Sequence, residues 1–130
     1  MKKGNNIELT KNIFDLSIPV VAIDIVIFTI YKDKLSVVLT TRLKDPEKGK
    51  YIIPGGIARR GFSLEENFDA ILLNKTGIKN IYKEQLYTFG DPKRDSRGHI
   101  ISISYYALVN KDSFLENVDF TRVNIVEYSK

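Results

Sequence analysis

A chain of 130 residues suits one domain with a real hydrophobic core, and 43% hydrophobic with 28% charged residues is an ordinary globular composition. The lack of cysteine excludes a disulfide framework and a thiolate metal site, and it fits a reducing, cytoplasmic setting. A net charge of +4 without a recognised nucleic-acid-binding motif makes direct nucleic-acid contact by this segment the least favoured function.

Residues 1–17 are polar and mixed and read as an N-terminal arm. Their basic start lacks the apolar stretch of a secretory signal. Ile18–Tyr31 is nearly continuous β-branched sequence, as in a strand buried on both faces. The run is too short to span a bilayer and contains Asp24, so no membrane partner is expected. Lys32-Asp33-Lys34 reads as a turn and Leu35–Arg42 as a second strand. Lys44–Lys50 is a polar loop with Pro46 and Gly49. Tyr51-Ile52-Ile53 is a short strand that Pro54-Gly55-Gly56 ends.

A helix is predicted from about Leu64 to Lys75, with Gly77 as its stop. Ser63 and Glu66 have the S-x-x-E spacing of a capping box, and acids in the first turn suit the helix dipole. At roughly 100° per residue, Leu64, Phe68 and Leu72 form one stripe, with Ile71 and Lys75 at its edge and Leu73 opposite Leu64. Thr76 helps to end the helix.

Tyr82–Phe89 and Ile100–Val109 are the next strands. The second sets Ile101, Ile103, Tyr105 and Ala107 against Ser102, Ser104 and Tyr106 with period two. Gly90–His99 is a charged hairpin loop in which His99, lacking ligand-type neighbours, reads as a hairpin or core-edge residue. Phe114–Glu127 offers one more short strand.

Positive charge gathers between residues 42 and 60. Arg42, Lys44, Lys48, Lys50, Arg59 and Arg60 stand against Asp45 and Glu47, and that excess equals the whole net charge. Two basic loops around a glycine turn suit a phosphate-bearing ligand; the alternative is a solvated surface. Arg42, Arg94 and Arg97 each offer a guanidinium fork to phosphate. Asp91 and Asp95 either accept from ribose hydroxyls or pair with those arginines to lock the hairpin. The candidate ligand-binding set is completed by Gly55, Gly56 and Tyr51, which either stacks on a base or is a half-buried strand residue. No catalytic residue and no metal ligand is assigned.

Residues 55–78, GGIARRGFSLEENFDAILLNKTGI, resemble a Nudix box with its chemistry removed. Gly56, Gly77, Leu72 and Ile78 keep the frame. Phe62 stands for the first glutamate, Ala70-Ile71 for the Arg-Glu pair and Asn74-Lys75 for the Glu-Glu pair. The order of VAIDIVIFTI, KLSVVLTTR and KGKYIIPGG before the box is also Nudix-like. YTFGDPKRDSRGHIISISYYALV after it is similar to the ADP-ribose pyrophosphatase branch and to Nudix-related transcriptional regulators.

The resemblance implies an α/β (α+β) fold, with the box helix packed on a mixed sheet in an α/β/α arrangement. The domain would cover 18–130 with the final helix missing, as in a domain truncated at its C-terminus or in part of a longer protein. It implies a catalytically inactive domain that binds a nucleotide or sugar ligand, such as ADP-ribose, as the sensor part of a regulator. In the related pyrophosphatases the 90–99 loop helps form the adenosine or ribose end of the site, often across a homodimer interface. Magnesium is a hard cation that needs oxygen ligands, and four carboxylates are gone from its seat, so no cofactor is expected. The alternative is an active, Mg²⁺-dependent hydrolase of nucleoside diphosphate derivatives, with Glu65, Glu66 or Asp69 as relocated ligands.

Overall fold

β1 (Val20–Tyr31) is the long central strand on which the sheet is built. The computed structural model describes residues 17–45, 47–110, 118, 121 and 123–128. A two-residue turn follows, in which Lys32 and Asp33 take positive φ of 51° and 61°. It returns the chain as β2 (Lys34–Thr41), antiparallel to β1. This left-handed pair matches the twist of a hairpin. β3 (Tyr51–Ile52) pairs with the far end of β2, and β4 (Gly55–Ile57) pairs with β1. Helix α1 (Leu64–Thr76) is followed by β5 (Tyr82–Phe89), β6 (Ile100–Val109) and β7 (Val123–Glu127).

The sheet order is β3-β2-β1-β6-β5, with β4 also on β1 and β7 on β2. β6 runs parallel to β1 and the other pairs are antiparallel, so the sheet is mixed.

Alternation decides which residues enter the core. Ile23, Ile25 and Ile27 of β1 share a face with Val38 of β2 and with Tyr105, Ala107 and Val109 of β6. Phe68 and Leu72 of α1 cover that face, and the Phe68 ring meets Tyr105 edge-on at 5.0 Å. Leu64 is half-buried and Leu73 is 52% exposed, so the helical stripe is oriented as its spacing predicts.

β1 differs from its expected burial on both faces. Val26 and Phe28, which point away from α1, are only half-buried, as are Val37 and Leu39 beside them. The reason is that α1 is the only helix among the described residues, so the α/β/α arrangement is present there as two layers. The strand expected within 114–127 is β7, at the C-terminal end of that range; residues 114–117, 119, 120 and 122 lie outside the described residues, as do 1–16 of the arm.

The helix begins on a complete capping box. Ser63 Oγ accepts from Glu66 N at 3.0 Å, and Glu66 Oε1 accepts from Ser63 N at 2.8 Å. It ends on Gly77, whose φ of 79° is left-handed, while the buried Thr76 hydroxyl donates to Leu72 O and accepts from Ile78 N. Asn67, 5% exposed, ties the preceding loop to the helix. Its Oδ1 accepts from Arg59 N at 2.7 Å, and its amide donates to Ser63 O and Phe62 O at 2.9 and 3.2 Å.

Replacing a buried side chain that satisfies several backbone groups costs about 1–3 kcal/mol through the partners left unpaired. Asn67→Ala is expected to lose roughly 2 kcal/mol of unfolding free energy in a urea titration, against under about 0.5 kcal/mol for Asn74→Ala at an exposed helix position.

Candidate functional site

Two strands share one edge of β1. β2 holds residues 27–31 and β4 holds residues 22–24. β2 therefore leaves β1 as it runs on toward Arg42, and β3 and β4 fold into the opening. The β4 seat is tight. A Cβ at Gly55 would lie 2.9 Å from Ile23 O and closer still to Asp24 Oδ1, and one at Gly56 would lie 3.3 Å from the Ile71 side chain. Glycine inside a strand marks such a close approach of backbone. Gly55-Gly56 is thus a strand of its own, rather than the turn that ends the preceding strand.

An open cleft of about 480 Å³ occupies this junction. Asp24 and Ala22 of β1, Gly55, Gly56 and Ile57 of β4, and Ile52 and Ile53 line one part of it. Arg42, Lys44, Lys75, Arg94 and Arg97 bring five cations, and Asp24 and Asp95 are the only carboxylates in the lining. A concave site with one sign of charge in excess concentrates ligands of the opposite sign.

Each charged group is placed by its element. Arg42 follows β2 and is held by backbone bonds from Arg42 N to Lys50 O and from Gly49 N to Arg42 O, both 2.8 Å. Asp95 and Arg97 form a two-pronged pair, with Nε to Oδ1 at 3.0 Å and Nη2 to Oδ2 at 2.8 Å. The side-chain hydrogen bonds from Arg97 hold the Asp95 carboxyl down at about 2, despite the opposing effect of burial. Arg97 is raised in turn, first by Asp95 and also by the charge of Asp24. Arg94 reaches back to Ile100 O at 3.5 Å. Asp24 accepts from the Ser102 hydroxyl, and Ser102 and Ser104 are linked at 3.1 Å.

Six of the eight sequence-derived ligand residues meet at this cleft: Arg42, Gly55, Gly56, Arg94, Asp95 and Arg97. Tyr51 does not. It is 56% exposed, and alternation along β3 sends Ile52 into the cleft and Tyr51 away from it. Nor is it the half-buried residue of the other expectation. Asp91 is a turn residue, whose Oδ1 accepts from Lys93 N at 2.8 Å and whose carbonyl accepts from Arg94 N. The basic cluster between 42 and 60 also divides. Arg42 and Lys44 line the cleft, Lys50 sits 3.3 Å from Glu47, and Arg59 lines a separate hollow with Phe62, Glu66 and Asp69.

Asp24 was the residue that sequence reasoning missed. A lone acid in an apolar strand was its signal. Ser102 and Ser104, which alternate with Ile101 and Ile103 in the sequence, are both buried, and Ser102 donates to Asp24.

The box-like helix implies a divalent metal, and the donors do not fit one. Phe62 is 58% exposed, Ile71 packs against Gly56 and the core, Asn74 is exposed, and Lys75 adds a cation. Glu66 is engaged in the cap, and Asp69 lies 3.9 Å from Lys83 Nζ. Among the described residues, no three His, Cys, Asp or Glu side chains are grouped to hold a metal. Among them, too, no helix is long and apolar enough to cross a membrane.

No family model matches the chain. It is 32% identical over 108 residues to the ADPR responsive transcriptional repressor NtrR of Acinetobacter baylyi, covering 80% of this chain and 42% of the repressor. It is 36% identical over 87 residues to the ADP-ribose pyrophosphatase of Methanocaldococcus jannaschii, covering 67% of this chain and 49% of that enzyme. The chain thus spans less than half of each of these two relatives. Among solved structures, the NUDIX domain of Shewanella oneidensis NrtR complexed with ADP ribose superposes with a TM-score of 0.73 at 26% identity, over 95% of this chain and 82% of that one. The mixed sheet, the box helix and its glycine frame make this a Nudix-fold domain. Within that fold, the chain is a homologue of the NtrR repressor and of the ADP-ribose pyrophosphatase.

The depressed Asp95 carboxyl sets a pH dependence. Its folded value lies below its unfolded one, so its contribution to stability is present above about pH 4 and is lost as pH falls toward 2. A ¹³C carboxyl titration by NMR is expected to place the Asp95 midpoint near 2, and Arg97→Gln should return it toward the ordinary aspartate range.

Proposed function

We propose that this chain is a catalytically inactive Nudix-like domain that binds a nucleotide sugar of the ADP-ribose type, as the sensor part of a transcriptional regulator. One observation carries the reading: a cleft with five cations adjoins a box helix whose metal-ligand positions hold Phe62, Ile71, Asn74 and Lys75. Binding a diphosphate needs guanidinium and ammonium donors, which the cleft has. Hydrolysing it needs a metal-activated water and a charge clamp on the leaving group, for which these positions offer no carboxylate.

The relatives support the choice of ligand. The NtrR repressor is described as ADPR responsive, and the NrtR domain was solved with ADP ribose. DNA binding belongs, in this reading, to the remaining length of the longer regulator, and no metal cofactor is required. A cytoplasmic setting and a homodimer complete the reading. The dimer is supported by β5, an outer strand of the described sheet with Tyr82, Leu86, Tyr87 and Phe89 all exposed.

Isothermal calorimetry with ADP-ribose, beside a phosphate-release assay coupled to a phosphatase, separates binding from turnover. Binding without turnover is expected, and Arg42→Gln or Arg94→Gln should each weaken it about fivefold or more through a lost charge-assisted contact. Metal-dependent turnover that persists through further purification would overturn the reading.

A further inference from the structure

The positive lining of the cleft comes from three separate parts of the chain. Arg42 and Lys44 follow β2, Arg94 and Arg97 belong to the 90–99 loop, and Lys75 stands in the last turn of α1. Lys75 is half-buried and also lines the adjoining hollow of about 230 Å³ beside Thr40, Thr41, Arg42 and Ile52. No hydrogen-bond or ion-pair partner for its ammonium occurs among the described residues. The carboxylates of the lining are otherwise engaged, Asp95 by the Arg97 fork and Asp24 by Ser102. A divalent cation entering here would meet five positive side chains and no carboxylate without a partner.

We propose that Lys75 is a phosphate-binding residue of this cleft, and that the diphosphate of the ligand is held there without a divalent cation. The proposal rests on the ligand-binding reading above and deepens it. Mg²⁺ is normally held between one or two carboxylates and the substrate phosphates, and it neutralises part of their charge. In this cleft the helix carries its own positive charge to that position. The ammonium is a compact point charge with three donors on a flexible stem, and it can serve two phosphate oxygens at once. A merely structural Lys75 would complement the helix dipole at its C-terminal end. Its loss would then lower the melting temperature and leave ligand affinity alone.

Calorimetry with two probes, inorganic pyrophosphate and ADP-ribose, each in EDTA and in Mg²⁺, tests this. Both probes are expected to bind in EDTA, with no gain from Mg²⁺. Lys75→Gln should weaken both about tenfold, as expected for one charge-assisted contact, whereas Lys75→Arg and the control Lys79→Gln, at a residue that lines a different hollow, stay within about threefold of the wild type. Thermal melts of each variant report its folding, and the wild-type EDTA arm decides the metal question without any variant. Binding that requires Mg²⁺ overturns the inference and leaves the proposed function standing. Unchanged affinity in a folded Lys75→Gln overturns the role of Lys75. Lys75-dependent pyrophosphate binding in EDTA without ADP-ribose binding sustains the inference and overturns the choice of ligand. Failure of both probes in both buffers overturns both readings.

Discussion

β1 offers one edge to two strands, and the site follows from how they divide it. The register passes from Ile27↔Val38 in the β2 pairing to Asp24↔Gly55 in the β4 pairing. Two strands cannot hydrogen-bond to the same stretch of edge, so β2 must diverge before β4 can dock. Between them Ile25 N donates to Pro54 O at 2.9 Å, which fastens the crossing. The divergence opens the sheet beside Asp24, and the charged ends of β2 and the 90–99 loop converge on that opening. The glycines belong to the same constraint. Gly55 is needed because Asp24 and the Ile23 carbonyl occupy the space where a side chain would project.

A concentration of five cations is a cost to an empty cleft, since like charges repel and each loses some hydration. The structure offsets part of it. Asp95 clamps Arg97 through two bonds, and the Asp24 charge also favours the charged guanidinium. What is left includes two guanidinium groups held in place, Arg97 on the Asp95 carboxylate and Arg94 on the Ile100 carbonyl. Such donors need little reorganisation when an anion arrives, and this is the condition under which binding energy is retained rather than spent on ordering side chains.

The elements were largely legible in the sequence because each rests on a local signal. The α1 boundaries followed from the Ser63–Glu66 box and Gly77, and the inward stripe from the spacing of Phe68 and Leu72. The β5 and β6 ranges match the reading to the residue. What was illegible depends on contacts between distant segments. Gly55-Gly56 after a proline has the local appearance of a turn, and only the approach of β1 shows it to be a strand. Tyr51 and Ile52 are adjacent and similarly apolar, so the choice of which one faces the cleft is set by the pairing of β3 with β2. Asp24 lies 78 residues from Ser102, and nothing local announces their hydrogen bond. Arg42 and Arg94 were read as phosphate forks from their chemistry and, for Arg94, from the resemblance of its loop; the sheet supplies the juxtaposition.

The fold does not need the metal chemistry that its box resembles. α1 is stabilised by its capping box, by Thr76 and Gly77 at its end, and by burial of Phe68 and Leu72. None of these involves a residue at a metal-ligand position. An aliphatic residue at 71 can even add to packing, since Ile71 lies against the core and above Gly56, where a carboxylate would have to remain hydrated or coordinated. Asn74 is exposed and places little demand on the sheet. A helix built this way can lose the carboxylates of a catalytic centre and keep its seat, its cap and the glycine frame beside it. The cations of the cleft come mostly from other elements, Arg42 and Lys44 after β2 and Arg94 and Arg97 in the 90–99 loop, joined by Lys75 of α1, so the proposed anion binding does not draw on the carboxylates that hydrolysis would need.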